Sequence, residues 1–163
     1  MLKAIKKKMK DQRGLTLVEL LAVVVILGII SAIAVPSIGG LIDNSKKDAH
    51  VANAQQMINS AKMAVATDVN LQKDTKYLTL TFLETENFLD QVKDPDGKTS
   101  NYLKGTSKVP LDTVTETAVV SYVKIVNGKV TGVKLVNSTR GVQDSTKGPV
   151  KVEDLERGVV RNN

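Results

Sequence analysis

From Leu15 to Ile42 the chain runs 28 residues with a single charged side chain, Glu19. Within that run, the sixteen residues Leu20 to Val35 carry no charge, and only Ser31 is polar. A helix rises 1.5 Å per residue, and about 20 apolar residues cross the hydrocarbon core of a bilayer. The run is long enough to span a membrane. It is apolar all round rather than along one stripe, so it belongs in lipid or inside an assembly. Pro36 and Gly39-Gly40 predict a kink or a loosening near its outer end.

The charge is distributed unevenly. Residues 1–14 hold Lys3, Lys6, Lys7, Lys8, Lys10 and Arg13 against Asp11, a net of +5 out of the chain's +6. A basic tip directly before an apolar run anchors the cytoplasmic end of a membrane segment. The remaining 149 residues are near neutral, so direct nucleic-acid binding is not indicated. The chain contains no cysteine, so an exported domain here must hold together by packing and strand pairing alone. Aromatic residues make up 3% of it, which predicts a thin aliphatic core.

Beyond the apolar run, Asp43-Asn44-Ser45 offers capping side chains for a helix that restarts. Val51, Ala54, Met57, Ile58, Ala61, Val65 and Val69 then recur three or four apart, which predicts an amphipathic helix to about Gln72. Its apolar stripe needs a cover, and the last third of the chain is the candidate. There, Leu78 to Phe88 reads as a short helix and Asp94-Pro95-Asp96-Gly97 as a turn. Val119 to Val126 and Lys129 to Val136 are β-branched runs separated by Asn127-Gly128, a strong hairpin signal. A two-residue turn pairs Val126 with Lys129, Ile125 with Val130 and Val123 with Gly132, and puts Lys124 and Lys134 on opposite faces. Gly141 and Gly148-Pro149 read as loop. Lys151 to Val160 closes the sheet or forms a last helical turn. The expected fold class is α+β: a long N-terminal helix packed on a small C-terminal antiparallel sheet. Its parts are a leader 1–14, an apolar helix 15–42, an amphipathic continuation 43–72 and a head 73–163.

The junction Arg13-Gly14-Leu15-Thr16-Leu17-Val18-Glu19-Leu20 resembles the cleavage and methylation motif of the type IV pilin and pseudopilin superfamily. Thr16, Leu17, Val18, Glu19 and Leu20 match that pattern position by position, Pro36 fits it, and Leu15 stands where phenylalanine is commonest. The resemblance implies a cut between Gly14 and Leu15 by a prepilin peptidase, with methylation of the new Leu15 amine. It also implies a homo-oligomeric helical filament outside the cell, a platform membrane protein and an assembly ATPase. The physics of the junction agrees. A carboxylate such as Glu19 inside an apolar helix costs about 2.5–3.5 kcal/mol near the bilayer centre. The resemblance implies that the Leu15 amine of one subunit meets Glu19 of the next, which neutralises that charge and sets the axial register.

Other functions have weaker signals. An ordinary secretory signal would use Ala32-Ile33-Ala34 as its cleavage site, but Glu19 interrupts its apolar region. An unprocessed single-pass anchor carrying a binding head is the alternative reading. His50, the sole histidine, is expected at the surface. Asp94, Asp96 and Asn101 suggest calcium ligands, and Asp94-Pro95-Asp96-Gly97 resembles the Asp-Pro-x-Gly loop of pseudopilins, some of which bind calcium. Their spacing does not match an EF-hand, and no metal is assigned. No nucleophile–base set, phosphate loop or paired-carboxylate site is recognisable, so no catalytic residue and no cofactor are assigned and an enzyme is not expected.

Overall fold

The computed structural model describes residues 2–97 and 101–163, with side chains from Thr16 onward. They fall into two compact units that meet at Asp43/Asn44, each described by itself.

The first unit is helical throughout. Helix α1 runs Leu2–Thr67 without a break, through Pro36, Gly39, Gly40 and Asp43. The expected restart at Asp43-Asn44-Ser45 does not occur. Proline removes one i→i−4 bond from the ladder, and the residues around it keep theirs. From Leu17 to Ile42 every large apolar side chain is more than half exposed.

In the second unit, α1 carries its apolar stripe into a core. Ala54, Met57, Ile58, Ala61, Ala64 and Val65 are buried there, with Val51 partly buried. The helix ends at Thr67 rather than near Gln72, because Asp68 turns extended and its side chain caps a 3₁₀ turn at Val69–Gln72. That turn exposes Val69, expected in the stripe, and buries Leu71 in its place.

An antiparallel sheet covers the stripe. Its strands are β1 (Thr75–Thr79), β2 (Tyr122–Val126), β3 (Lys129–Val136), β4 (Arg140–Val142), β5 (Val150–Lys151) and β6 (Val160–Asn162). The order is β1-β2-β3-β4-β6, and β5 pairs with β3. The expected helix at Leu78 to Phe88 is instead strand as far as Thr79 and helix α2 at Leu80–Thr85, capped by the Thr79 side chain. The first hairpin strand starts at Tyr122 rather than Val119.

The hairpin forms at Asn127-Gly128, with φ of 48° and 75° at the two positions. Those are the positive angles a type I′ turn requires. Val126 pairs with Lys129 and Ile125 with Val130, as the turn predicts. A bulge between Lys124 and Ile125 then shifts the register, so Lys124 faces Gly132 and Val123 faces Val133. The extra residue is Thr131, whose hydroxyl donates to the Lys124 carbonyl at 3.3 Å. The bulge lets both Val130 and Val133 join the core with Val123, Ile125 and Leu135. It also brings Lys124 and Lys134 to the same face rather than opposite ones. Lys124 pairs with the Glu116 carboxylate, while the buried Lys134 ammonium donates to the carbonyls of Glu116, Ala118 and Lys147 at 3.1, 2.7 and 2.5 Å.

Gly141 is strand rather than loop. A Cβ there would overlap the Leu135 carbonyl and stand 2.5 Å from Val136 Cα, so glycine is required for β4 to lie against β3. Residues 151–160 do both things expected of them. They pair through β5, turn through two 3₁₀ segments (Val152–Asp154 and Arg157–Val159), and lead into β6 on β4.

Candidate functional site

The processing junction, Gly14 and Leu15 with the leader 1–14, lies outside the residues whose side chains are described. Immediately beyond it, Thr16, Leu17, Val18, Glu19 and Leu20 are all exposed on α1. Glu19 is the first charged residue after the junction, one helical turn past position 15. Pro36 lies inside the same helix. The 28 residues from Leu15 to Ile42 measure about 42 Å as helix, against about 30 Å of bilayer hydrocarbon. Within Thr16–Thr67, α1 contains a stretch long and apolar enough to cross a membrane, and none of that stretch is buried.

The head holds a second constellation, which the sequence did not announce. His50 is completely buried, not at the surface. It lies four residues before Ala54 and so continues the apolar stripe by one helical turn. Its Nε2 stands 2.9 Å from Asp96 Oδ2, and its Nδ1 2.8 Å from the Tyr102 hydroxyl. A carboxylate only accepts, so Nε2 donates to Asp96. The Tyr102 oxygen in turn accepts from Asn53 Nδ2 at 2.9 Å. Asn53, Tyr102, His50 and Asp96 thus form one hydrogen-bonded relay.

Asn137 of the β3–β4 turn and Arg140 at the start of β4 complete it. The Asn137 amide nitrogen lies 2.9–3.0 Å from both oxygens of Asp94 and from Asp96 Oδ2. Its carbonyl oxygen accepts from the backbone N–H groups of Thr139 and Arg140, both at 2.7 Å. Arg140 grips Asp96 through Nε and Nη2. The Arg140 guanidinium, with help from Asn137 and His50, holds the Asp96 carboxyl well below the usual carboxylate range, against the opposing effect of burial. Burial pushes the Tyr102 hydroxyl well above the ordinary tyrosine range.

His50, Asp94 and Asp96 also place three metal-ligating atoms within 4.8 Å of one another. Asn137, Arg140 and Tyr102 already hydrogen-bond to these groups. A cation among them would displace Asn137 and face the Arg140 guanidinium. The arrangement does structural work: it docks the Asp94–Gly97 turn and the β3–β4 turn onto α1. Asn101, grouped with those acids in the sequence, is exposed. The stripe period, extended back to position 50, is the signal that marks His50 as buried.

Together these features define a class: a membrane-capable N-terminal helix whose outer half is packed into a small α+β head. Residues 9–35 match the family model of the prokaryotic N-terminal methylation motif, the type IV prepilin leader signature. That motif indicates a pilin-like or pseudopilin-like prepilin, and with the apolar helix it fits membrane anchoring and assembly by pilus machinery in general. No curated protein and no solved structure matches the chain significantly.

Proposed function

We propose that this chain is a structural subunit of an extracellular type IV filament, a pilin or pseudopilin, and not a catalyst. A prepilin peptidase removes the leader after Gly14 and the Leu15 amine is methylated. The mature subunit waits in the membrane with its head outside. An ATPase and a platform protein then extract it into a helical homo-oligomer. Segments 15–42 form the filament core, and Glu19 of each subunit takes the Leu15 amine of a neighbour. Adhesion or motility, DNA uptake and type II-like secretion all employ this subunit design.

One observation carries the proposal. The leader signature stands directly before a helix whose large apolar side chains are all exposed, and lipid and a bundle of identical helices are the two environments that cover such a surface.

Intact mass and N-terminal sequencing of the surface protein test it. A start at Leu15 with one added methyl supports the proposal. A start at Val35 identifies a secretory signal, and a start at Met1 an unprocessed anchored binding protein; either result refutes it.

A further inference from the structure

Three lysines from three elements surround one groove in the head. Lys62 comes from α1, Lys129 from the start of β3 and Lys151 from β5, and the groove they line has a volume of about 580 Å³. Its floor is apolar, made by Val130 and Val152, and Glu153 is the one acidic residue on its wall. Five other cations of the head are spent on carboxylates: Lys76 on Asp112, Lys104 on Glu84, Lys124 on Glu116, Arg140 on Asp96 and Arg157 on Asp48. Among the described residues, Lys62, Lys129 and Lys151 meet none. The groove therefore keeps two net positive charges around an apolar floor.

The other flank of α1 carries the opposite pattern. After α2 the chain turns through Asn87, at a φ of 59°, and projects a short knob. Glu86 and Asp90 are exposed on it, with no cationic partner among the described residues, on either side of the half-buried Phe88 and Leu89. A second groove, lined by Ser60 of α1 with Phe88 and Asp90, fixes which flank this is. At roughly 100° per residue, Ser60 lies about 200° around α1 from Lys62. Asn53, whose amide holds the same flank by donating to the Lys93 carbonyl, lies about 180° from Lys62. The axial offset between Ser60 and Lys62 is only about 3 Å.

We propose that the lysine groove of one head receives the Glu86–Asp90 knob of a second copy of this chain. Two complementary patches on opposite flanks of one helix, at nearly the same height, make a heterologous contact. Such a contact does not close on itself in a dimer; repeated, it gives a ring where the rotation closes and an open helical filament where it does not. Each joint sets acidic groups against free lysines at its rim and Phe88 and Leu89 against Val130 and Val152 at its centre. Charge complementarity of this kind selects orientation and register more than raw affinity. The inference rests on the filament reading and adds to it which faces of the heads meet.

The test uses the full-length chain with its own assembly machinery, read as sheared surface filaments against processed subunit in the membrane. Glu86→Lys with Asp90→Lys, or Lys62→Glu with Lys129→Glu, should each lower filament yield more than about tenfold at unchanged processing, because like charges then face across the joint. All four changes in one chain restore the complementarity and should restore the yield. The chain has no cysteine, so Glu86→Cys with Lys129→Cys tests the contact without introducing charge. On oxidation it should give a cross-linked ladder beyond the dimer, and neither single change should. Loss of filaments on groove reversal without rescue by the four-fold swap means that a polyanion or another partner fills the groove, and overturns the contact. Normal wild-type filaments with neither rescue nor ladder overturn this contact alone. Absence of filaments from the wild-type chain overturns the filament reading with it.

Discussion

Arg140 reaches Asp96 across 44 residues of sequence and holds it with two nitrogens. Nε lies 3.1 and 2.9 Å from the two carboxylate oxygens, and Nη2 donates to Oδ1. The side chains are only 10% and 11% exposed. Asp96 also takes His50 and Asn137, so this one carboxylate joins α1, the Asp94–Gly97 turn and the β3–β4 turn.

Arg140→Met should therefore destabilise the head by about 3–5 kcal/mol, because it leaves Asp96 buried without its cation. Urea unfolding of residues 44–163 measures it. Adding Asp96→Asn to the same protein should recover part of the loss, since the orphaned charge is then gone.

Acid should weaken the same lock. The folded pKa of Asp96 lies below its unfolded value, so its contribution is complete above about pH 4 to 5 and is lost as pH falls towards the folded value. The melting temperature of residues 44–163 should drop progressively below about pH 4. Asp96→Asn should start lower and lose less over that range. Parallel curves for the two proteins would remove Asp96 from the acid response.

Gly141→Ala should be among the most damaging single changes in the head. The added methyl overlaps the Leu135 carbonyl and Val136 Cα, both backbone, so neither can swing aside. We expect a loss of several kcal/mol, more than the 1–3 kcal/mol typical of overpacking. Retention of the wild-type melting temperature would contradict the β3–β4 packing.

Asn127→Ala with Gly128→Val should lower the melting temperature as well. Both positions have positive φ, and a Cβ at Gly128 stands 3.2 Å from Gln72 Cα. The cost is about 1–3 kcal/mol from backbone strain alone. An unchanged melting temperature would show that the turn relaxes without loss.

Glu19→Val should leave membrane insertion and cleavage intact while filaments disappear. Removing the carboxylate makes insertion easier by about 2.5–3.5 kcal/mol. It also leaves the neighbour's Leu15 amine buried without a partner, a loss that typically costs about 3–5 kcal/mol per contact. Sheared filaments on an immunoblot, against total processed protein, give the answer. Wild-type filament yield from a normally cleaved mutant would rule out Glu19 as the register device.

Several features were legible from the residues alone because each depends on neighbours in the chain. The apolar run 15–42, the leader junction before it, the stripe from Val51 to Val65 and the Asn127-Gly128 turn are of this kind, and so the α+β architecture followed from local pattern. Strand β1 escaped because Thr75–Thr79 has no clean alternation, and its pairing with β2 lies across more than 40 residues. The bulge at Thr131 escaped because a turn sets register only until an extra residue breaks it. That residue is tolerated because it brings both Val130 and Val133 into the core.

What the sequence by itself determined is where the leader signature lies, which segment is apolar all round and which face of α1 needs a cover. Those properties are fixed by order and spacing over a few helical turns. Only the tertiary structure decided that His50 is buried, that Asp94 and Asp96 serve as anchors for Asn137 and Arg140 instead of an open turn, and that Gly141 is a strand residue. Those outcomes depend on groups up to 52 residues apart being brought within hydrogen-bond or van der Waals distance. Burial then settles the matter, because a buried polar group must find its partner wherever the fold supplies one.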